Sequence, residues 1–237
     1  MKKSRLKSKR RVLTVDVGGT HVKFEVSGNA ERREFKSGPR LSAKRMVATV
    51  KKMTADWRYD VVSVGYPGVV LRDRIIAEPR NLGSGWRDFD FAKAFGCPVK
   101  VVNDAVMQAV GSYQGGRMLF LGLGTGLGTS MIIDGVIAPM ELAHLPYRKG
   151  KTFEHYVGAA GLERLGEKKW RKHVIDVVGR LTAALEPEYV VLGGGNAVKL
   201  GMRLPPHVRL GCNDSAFEGG YKLWSEGERG QRAMRSA

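Results

Sequence analysis

Two short stretches of this chain combine glycines with a hydroxyl or a carboxylate in a way that suits phosphate chemistry. In Asp16-Val17-Gly18-Gly19-Thr20 an apolar run ends in a turn almost without side chains. There the backbone N–H groups can approach a phosphate, the Thr20 hydroxyl can donate to it, and Asp16 can orient water around a magnesium ion. Gly124-Thr125-Gly126-Leu127-Gly128 offers the same physics later in the chain. Two such turns facing each other would grip both ends of a polyphosphate chain; singly, each is also a plain hairpin turn. Neither is a GxxxxGK[ST] loop and neither opens a helix as a dinucleotide-binding GxGxxG does, so dinucleotide binding is disfavoured. Asp104 marks a junction between an apolar run and a helical one, where aspartate often serves as a helix cap. Cys97 and Cys212 stand far apart, with no CxxC or Cys/His cluster, which indicates neither a disulfide framework nor a zinc ribbon.

These groups need elements to hold them. Val12 to Val17 reads as a buried strand and Val22 to Val26 as a returning one, so the first glycine turn tips a hairpin. Ser42 is placed to cap a helix carrying Met46, Val47, Val50 and Met53 on one face, followed by a strand at Val61 to Val64 and a Pro67-Gly68 turn. Val99 to Val102 is another strand, and Asp104 to Tyr113 a helix at its end. Met118 to Leu123, the second glycine turn and Thr129 to Ile133 repeat the strand-turn-strand device, although no internal sequence repeat appears. Trp170, Val174, Val177, Leu181 and Leu185 recur at helical spacing until Pro187. Tyr189 to Leu192 then runs as a strand into Gly193-Gly194-Gly195-Asn196. The alternation is that of an α/β protein. Residues 225–237 read as a polar, frayed tail.

With 237 residues, 43% of them hydrophobic, the chain can bury a real core as one domain or two small lobes. Its 40 Lys and Arg against 23 Asp and Glu leave a formal charge of +17. Seven basic residues in Met1 to Arg11 account for only part of that, and the arm itself reads as solvated. Such a field favours polyanions, whether nucleic acid, polyphosphate or phosphorylated small molecules, and disfavours cationic partners. Lys168-Lys169-Trp170-Arg171-Lys172 reads as a solvated helical face around one buried Trp, and it can also line a groove for a long anion. His155 and His173 read as surface residues. No apolar run approaches the ~20 residues needed to cross a bilayer, and no apolar run follows the basic N-terminus. A cytoplasmic protein without a membrane partner is expected. No RRM, KH, zinc-finger or basic-zipper pattern is visible, so a nucleic-acid partner is not expected.

Seven motifs in order carry a family resemblance: DVGGT at 16 to 20 with Lys23, YPGVV at 66 to 70, RNLGSGW at 80 to 86, VVNDA at 101 to 105, LGTGLG at 123 to 128, ELAH at 141 to 144 and VLGGGNA at 191 to 197. Together they span roughly residues 12 to 224 and resemble the ROK family of sugar kinases, nearest to its short, zinc-free polyphosphate glucokinase branch. The resemblance implies the two-lobed sugar kinase/actin-like (ribonuclease H-like) α/β fold. Its N-terminal lobe would be 12–103 and its C-terminal lobe 104–224, with a cleft between them. It also implies phosphoryl transfer from polyphosphate or ATP to the 6-hydroxyl of glucose or a related hexose, with Mg²⁺, by a homodimer.

Position by position, the resemblance makes Asp104 the general base, with Asn103 beside it holding a sugar hydroxyl. Asn81, Glu141, His144 and Glu154 resemble the rest of the sugar-binding set. Gly18, Gly19, Thr20 and Lys23 with Gly124, Thr125 and Gly126 resemble the phosphate-binding set, and Asp16 the indirect magnesium contact. Gly193, Gly194, Gly195 and Asn196 match the segment where the family places the adenosine of ATP, although a strand-to-helix turn that binds nothing has the same look. The usual CxCGxxGC cluster after His144 is missing, so no zinc site is expected. Two other classes remain alongside the kinase: a sugar- or polyanion-binding protein without transfer, and a basic nucleic-acid-binding protein. A repressor of the same family is not expected, because only 11 residues precede the first strand.

Overall fold

The computed structural model describes residues 10–212 and 214–225. Apart from Arg10, Arg11 and Ser225, the basic arm and the polar tail lie outside the described residues. The chain forms two units that divide after Val102.

The first unit holds, in chain order, β1 (Val12–Val17), β2 (His21–Val26), β3 (Arg32–Lys36), α1 (Ala43–Met53), β4 (Val61–Tyr66), β5 (Val70–Leu71), β6 (Arg74–Ile75), α2 (Phe91–Phe95) and β7 (Val99–Asn103). Five of these strands make one sheet in the order β3-β2-β1-β4-β7, with β1 antiparallel to β2 and parallel to β4. Central parallel strands are covered on both faces, so β4 is buried along its whole length and the period-two alternation is lost. The edge strand β3 instead alternates exposed and half-buried residues, and its charged Arg32, Arg33 and Glu34 discourage further strand pairing. Ser42 caps α1 as expected, its hydroxyl accepting from the Arg45 N–H at 3.4 Å. Met46, Val47 and Val50 share one core with Leu13, Val15, Val62 and Trp86, each worth about 1.5–3 kcal/mol for an aliphatic side chain fully removed from water.

The second unit contains α3 (Asp104–Ser112), β8 (Arg117–Leu123), β9 (Leu127–Ile133), β10 (Val136–Met140), α4 (Phe153–Val157), α5 (Ala159–Leu185), β11 (Tyr189–Gly193), β12 (Val208–Leu210) and α6 (Ser215–Ser225). Its sheet runs β10-β9-β8-β11-β12, the same permutation as the first: an antiparallel meander read backwards, then the later strands. Several boundaries differ from the sequence expectation, with β8 beginning at Arg117 and β11 ending at Gly193. The second glycine turn is shorter, because β9 already begins at Leu127 and pairs with Leu123. α3 ends at Ser112, with Tyr113 extended after it. The helix marked by Trp170 begins at Ala159 and is broken at Gly166, where φ 71° and ψ 158° leave the helical region. Trp170, Val174, Val177 and Leu181 are buried under the sheet, and Trp170 Nε1 donates to the Val157 carbonyl at 2.8 Å.

α6 packs on α3 through glycines. A Cβ at Gly111 would lie 1.8 Å from the Ser215 carbonyl oxygen, and one at Gly219 would lie 1.8 Å from that of Met107. The two backbones are therefore in direct contact. Lys222 Nζ then donates to the carbonyls of Val110, Gly111 and Tyr113 at 3.0–3.4 Å, satisfying the groups that a helix C-terminus leaves open. In this way α6 holds one end of the helix whose other end carries Asp104. Gly111→Ala is expected to lower the unfolding free energy by about 3 kcal/mol or more, because the overlap is with main chain that cannot swing aside. Gly179→Ala, in α5 with open space around its Cβ position, should raise it by about 0.5–1 kcal/mol. Urea titration of both variants reads the contrast.

Candidate active site

The first glycine loop is a closed, pinned turn. Gly18 N–H donates to the His21 carbonyl at 2.9 Å, and a Cβ at Gly18 would stand 2.8 Å from that oxygen. Glycine is thus required for space, since neither Gly18 nor Gly19 has a positive φ. Ser37, which sequence reasoning missed, fixes the loop from β3's end: its hydroxyl donates to the Gly18 carbonyl at 2.7 Å and its N–H to the Thr20 carbonyl at 2.9 Å. Gly19 and Thr20 remain exposed. Asp16 ends β1 directly across from Lys23 on β2. Burial pushes the Asp16 carboxyl up to about 6, against the pull of Lys23 and Arg32.

Asn81 lies beside this loop, its Cβ 3.9 Å from where a Gly19 side chain would begin. The RNLGSGW segment that carries it is held at three points. Glu78 accepts from the N–H groups of Trp86 and Arg87 at 3.1–3.3 Å, Trp86 Nε1 donates to the Leu41 carbonyl at 3.0 Å, and Gly83 N–H donates to the same carbonyl at 3.0 Å. The first unit thus brings Asp16, Gly18, Gly19, Thr20, Lys23 and Asn81 to one end of its sheet.

In the second unit Asn103, rather than Asp104, caps α3. Its Oδ1 accepts from the N–H groups of Ala105 and Val106 at 2.9 and 3.2 Å. Asp104 is the first helical residue, with Oδ1 accepting from the Ala105 N–H at 2.8 Å. The start of α3 abuts β9 just after the second glycine loop, because a Cβ at Gly128 would reach 2.7 Å from that of Ala105.

That loop, Gly124 to Gly126, is gripped from three sides. Glu154 on α4 projects at it so closely that a Cβ at Gly126 would lie 2.2 Å from Oε2. The Ala159 N–H at the start of α5 donates to the carbonyls of Gly124 and Thr125 at 3.1 Å. Asn196 donates through its N–H to the Leu123 carbonyl at 2.9 Å and through Nδ2 to the Gly124 carbonyl at 3.1 Å. Gly194, at φ 81°, is needed for this approach, since a Cβ there would fall 2.6 Å from the Leu123 oxygen. Gly193 packs on Phe120, while Gly195 faces open space. Glu141 and His144 are exposed on the turn after β10, which Thr129 anchors by donating to the Met140 carbonyl at 2.7 Å and accepting from the Leu142 N–H at 3.1 Å. The second unit therefore links the loop 124–126, Glu154 and the segment 193–196 by direct contacts, with Asp104 one residue before the Ala105 that meets β9 just after the loop. Glu141 and His144 follow next to Thr129.

Two histidines differ from expectation. His155 and His173 are half-buried, and His173 Nδ1 lies 2.9 Å from the Tyr147 hydroxyl with its ring 4.7 Å from that of Tyr156. Among the described residues no group of three His, Cys, Asp or Glu is arranged to hold a metal ion, and no helix is long and apolar enough to cross a membrane.

Comparison with known proteins draws these features together. The ROK family model matches residues 12–139, which takes in both glycine loops, Asn81 and Asp104. The polyphosphate glucokinase of Mycobacterium tuberculosis is 29% identical over 164 residues, which cover 63% of this chain and 61% of that protein. The chain thus spans less than two thirds of this relative's length. The glucokinase of Pyrobaculum calidifontis is 28% identical over 256 residues, covering 83% of this chain and 84% of that one. In three dimensions the chain resembles the inorganic polyphosphate/ATP-glucomannokinase from Arthrobacter sp. strain KM, with a TM-score of 0.78 and 22% identity over 91% of this chain and 98% of the other. The fold is accordingly the actin-like α/β fold of the ROK sugar kinases. Since the family model covers more than half of the chain and passes through the loops just described, the chain belongs to the ROK family.

Proposed function

We propose that this chain is a hexose kinase that moves a phosphoryl group from polyphosphate or ATP to the 6-hydroxyl of glucose or a related sugar. The observation that carries this reading is the division of labour at the start of α3. Asn103 caps α3 at the N–H groups of Ala105 and Val106, while Asp104 beside it shares only the first of these through Oδ1 and stands at the strand-to-helix junction. In this reading Asp104 accepts the proton of the attacking hydroxyl. Since phosphoryl transfer otherwise rests on positioning and charge neutralisation, a single placed base is a sufficient protein acid–base group.

Asn81, Glu141, His144 and Glu154 would hold the sugar through its several hydroxyls, each of which both donates and accepts. Asn103 would contribute through Nδ2, because its carbonyl oxygen serves the cap. Gly18, Gly19, Thr20 and Lys23 and the loop Gly124 to Gly126 would meet the donor phosphates, and Gly193 to Asn196 an adenosine when the donor is ATP. A relative named for polyphosphate and a structural neighbour named for polyphosphate and ATP support keeping both donors in the proposal.

Asp16, a carboxylate opposite Lys23 beside the exposed first glycine loop, is the type of donor that would hold a magnesium ion through water. Magnesium is commonly held by one or two carboxylates plus substrate phosphates. When bound, the ion would neutralise charge on the donor.

Two outcomes test this. Asp104→Asn should lower kcat for glucose phosphorylation by about 10²–10⁴-fold while glucose binding, read by calorimetry, is retained. Near wild-type turnover in that variant would refute the base assignment, and absence of phosphorylation from either donor in the unaltered chain would leave only a binding protein. The second concerns Asp16 in metal-free protein. Its folded pKa lies above the unfolded value of 3.8, so its contribution to stability is complete below about pH 4 and is lost as pH rises through about 6. Asp16→Asn should therefore stabilise the metal-free protein at pH 8 by about 1–2 kcal/mol, the gain shrinking to nothing near pH 4. Thermal or urea unfolding across that range measures it.

A further inference from the structure

The segment from Arg148 to Lys172 carries eight basic residues and three acidic ones. Two of the acids are turned to other uses: Glu154 projects at the glycine loop, and Glu167 pairs with Arg171 at 2.7 Å. Five of the basic residues, Arg148, Lys149, Arg164, Lys169 and Lys172, line two adjoining clefts that share Arg148 and His173. The larger, about 650 Å³, is lined among others by Lys149, His155, Tyr156 and Arg164. The smaller, about 310 Å³, is lined by Tyr147, Lys169 and Lys172 in addition to the shared pair. Lys169, Lys172 and His173, with Arg180 beyond them, fall at helical spacing on one face of α5, a stripe about 16 Å long. Among the described residues Lys149, Lys169 and Lys172 form no ion pair. Asp176, the acid within the stripe, is already engaged by the Tyr147 hydroxyl at 2.7 Å, Arg180 at 3.0 Å and Arg148 at 3.4 Å.

We propose that these joined clefts are a binding groove for an extended inorganic phosphate chain. Its role as a holder of the donor's far end rests on the kinase reading above. Two features favour a bare phosphate chain over a single-stranded nucleic acid. Nucleic-acid grooves offer open aromatic faces on which bases stack. Here the rings are packed on one another and on guanidinium groups. Tyr147 meets Phe153, Tyr156 and His173 with centroids 5.0–5.7 Å apart, and Arg148 and Arg180 lie 5.1 and 5.5 Å from its ring centre. Tyr156 is likewise occupied by His173 at 4.7 Å and by Arg164 at 5.9 Å. The aromatic cluster is thus a stiff floor that holds cations up to the groove. The second feature is continuity. α4 connects the groove to the loop 124–126: Glu154 touches the loop, the next two residues line the larger cleft, and Gly158 returns to the loop, where a Cβ would lie 2.8 Å from the Thr125 carbonyl. The larger cleft and the loop thus share one short helix, which suits a donor long enough to reach both, whereas the compact triphosphate of ATP does not require it.

The test uses the full chain and long-chain inorganic polyphosphate as the probe. Lys169→Gln with Lys172→Gln should weaken direct polyphosphate binding by about tenfold and reduce the slope of log K against log[salt] by about 1.4, two lost phosphate contacts' worth. Lys169→Arg with Lys172→Arg should restore both. Lys44→Gln with Lys52→Gln, which removes the same charge from exposed positions on α1, should change neither. In glucose phosphorylation the groove variant should raise KM for long-chain polyphosphate and leave the ATP reaction as it was. An equal loss in the α1 control would reduce the effect to net charge and overturn the proposal. So would tighter binding of single-stranded RNA than of polyphosphate, or unchanged polyphosphate binding in the groove variant. If neither donor supports phosphorylation, the kinase reading fails, while the direct binding measurement still decides the groove.

Discussion

A carboxylate can act on a substrate only if the element bearing it stays in place, and here that depends on two helices whose main chains touch. Gly111 and Gly219 remove the side chains that would otherwise separate α3 from α6, and Lys222 closes the C-terminal end of α3. The N-terminal end is closed by Asn103. With both ends satisfied and its flank in contact with α6, α3 has little freedom to tilt or fray. The same helix leans on β9 through Ala105 and Gly128, two residues beyond the second glycine loop. A change in the α3–α6 contact at Gly111 and Gly219 would therefore be felt at Asp104, at the other end of the same helix.

The loops show the same economy. Glycine serves three separate physical needs at them. Gly18 makes room for a carbonyl, Gly126 makes room for the Glu154 carboxylate, and Gly194 supplies a left-handed turn that brings Asn196 against β8. The partners that hold the loops, Ser37, Glu78, Ala159 and Asn196, come from well outside them. Each loop is thus presented by the surrounding fold, with its own tip left exposed or facing open space at Gly19, Thr20 and Gly195.

Much of the frame was legible in the chain because it is local. The β1–β2 hairpin follows from an apolar run, two glycines and an alternating run; α1 follows from Ser42 and its apolar face. Asp104 stands at the strand-to-helix junction, as the apolar run before it and the helical run after it imply. What escaped detection is tertiary. α6 contains Gly219 and Gly220, which weaken a helix on propensity alone, and their purpose is visible only against α3. The break at Gly166 is hidden by good helical periodicity on either side. His173 looked like a surface residue because its partner Tyr147 is 26 positions away. The assignment of Asp104 as a cap was the natural local reading, and the neighbouring Asn103 took that role instead because its side chain reaches both orphan N–H groups.

The two sheets share one strand order without a shared sequence, and each is built from a single uninterrupted stretch of chain: all strands of the first lie within residues 12–103 and all those of the second within 117–210. During synthesis the amino-terminal half can therefore finish its pairing and enclose its core before the other half has left the ribosome, since no strand has to wait for a distant partner. The first sheet takes its last strand, β7, from residues ending at Asn103, so once that strand has emerged nothing in the sheet is left waiting for the rest of the chain.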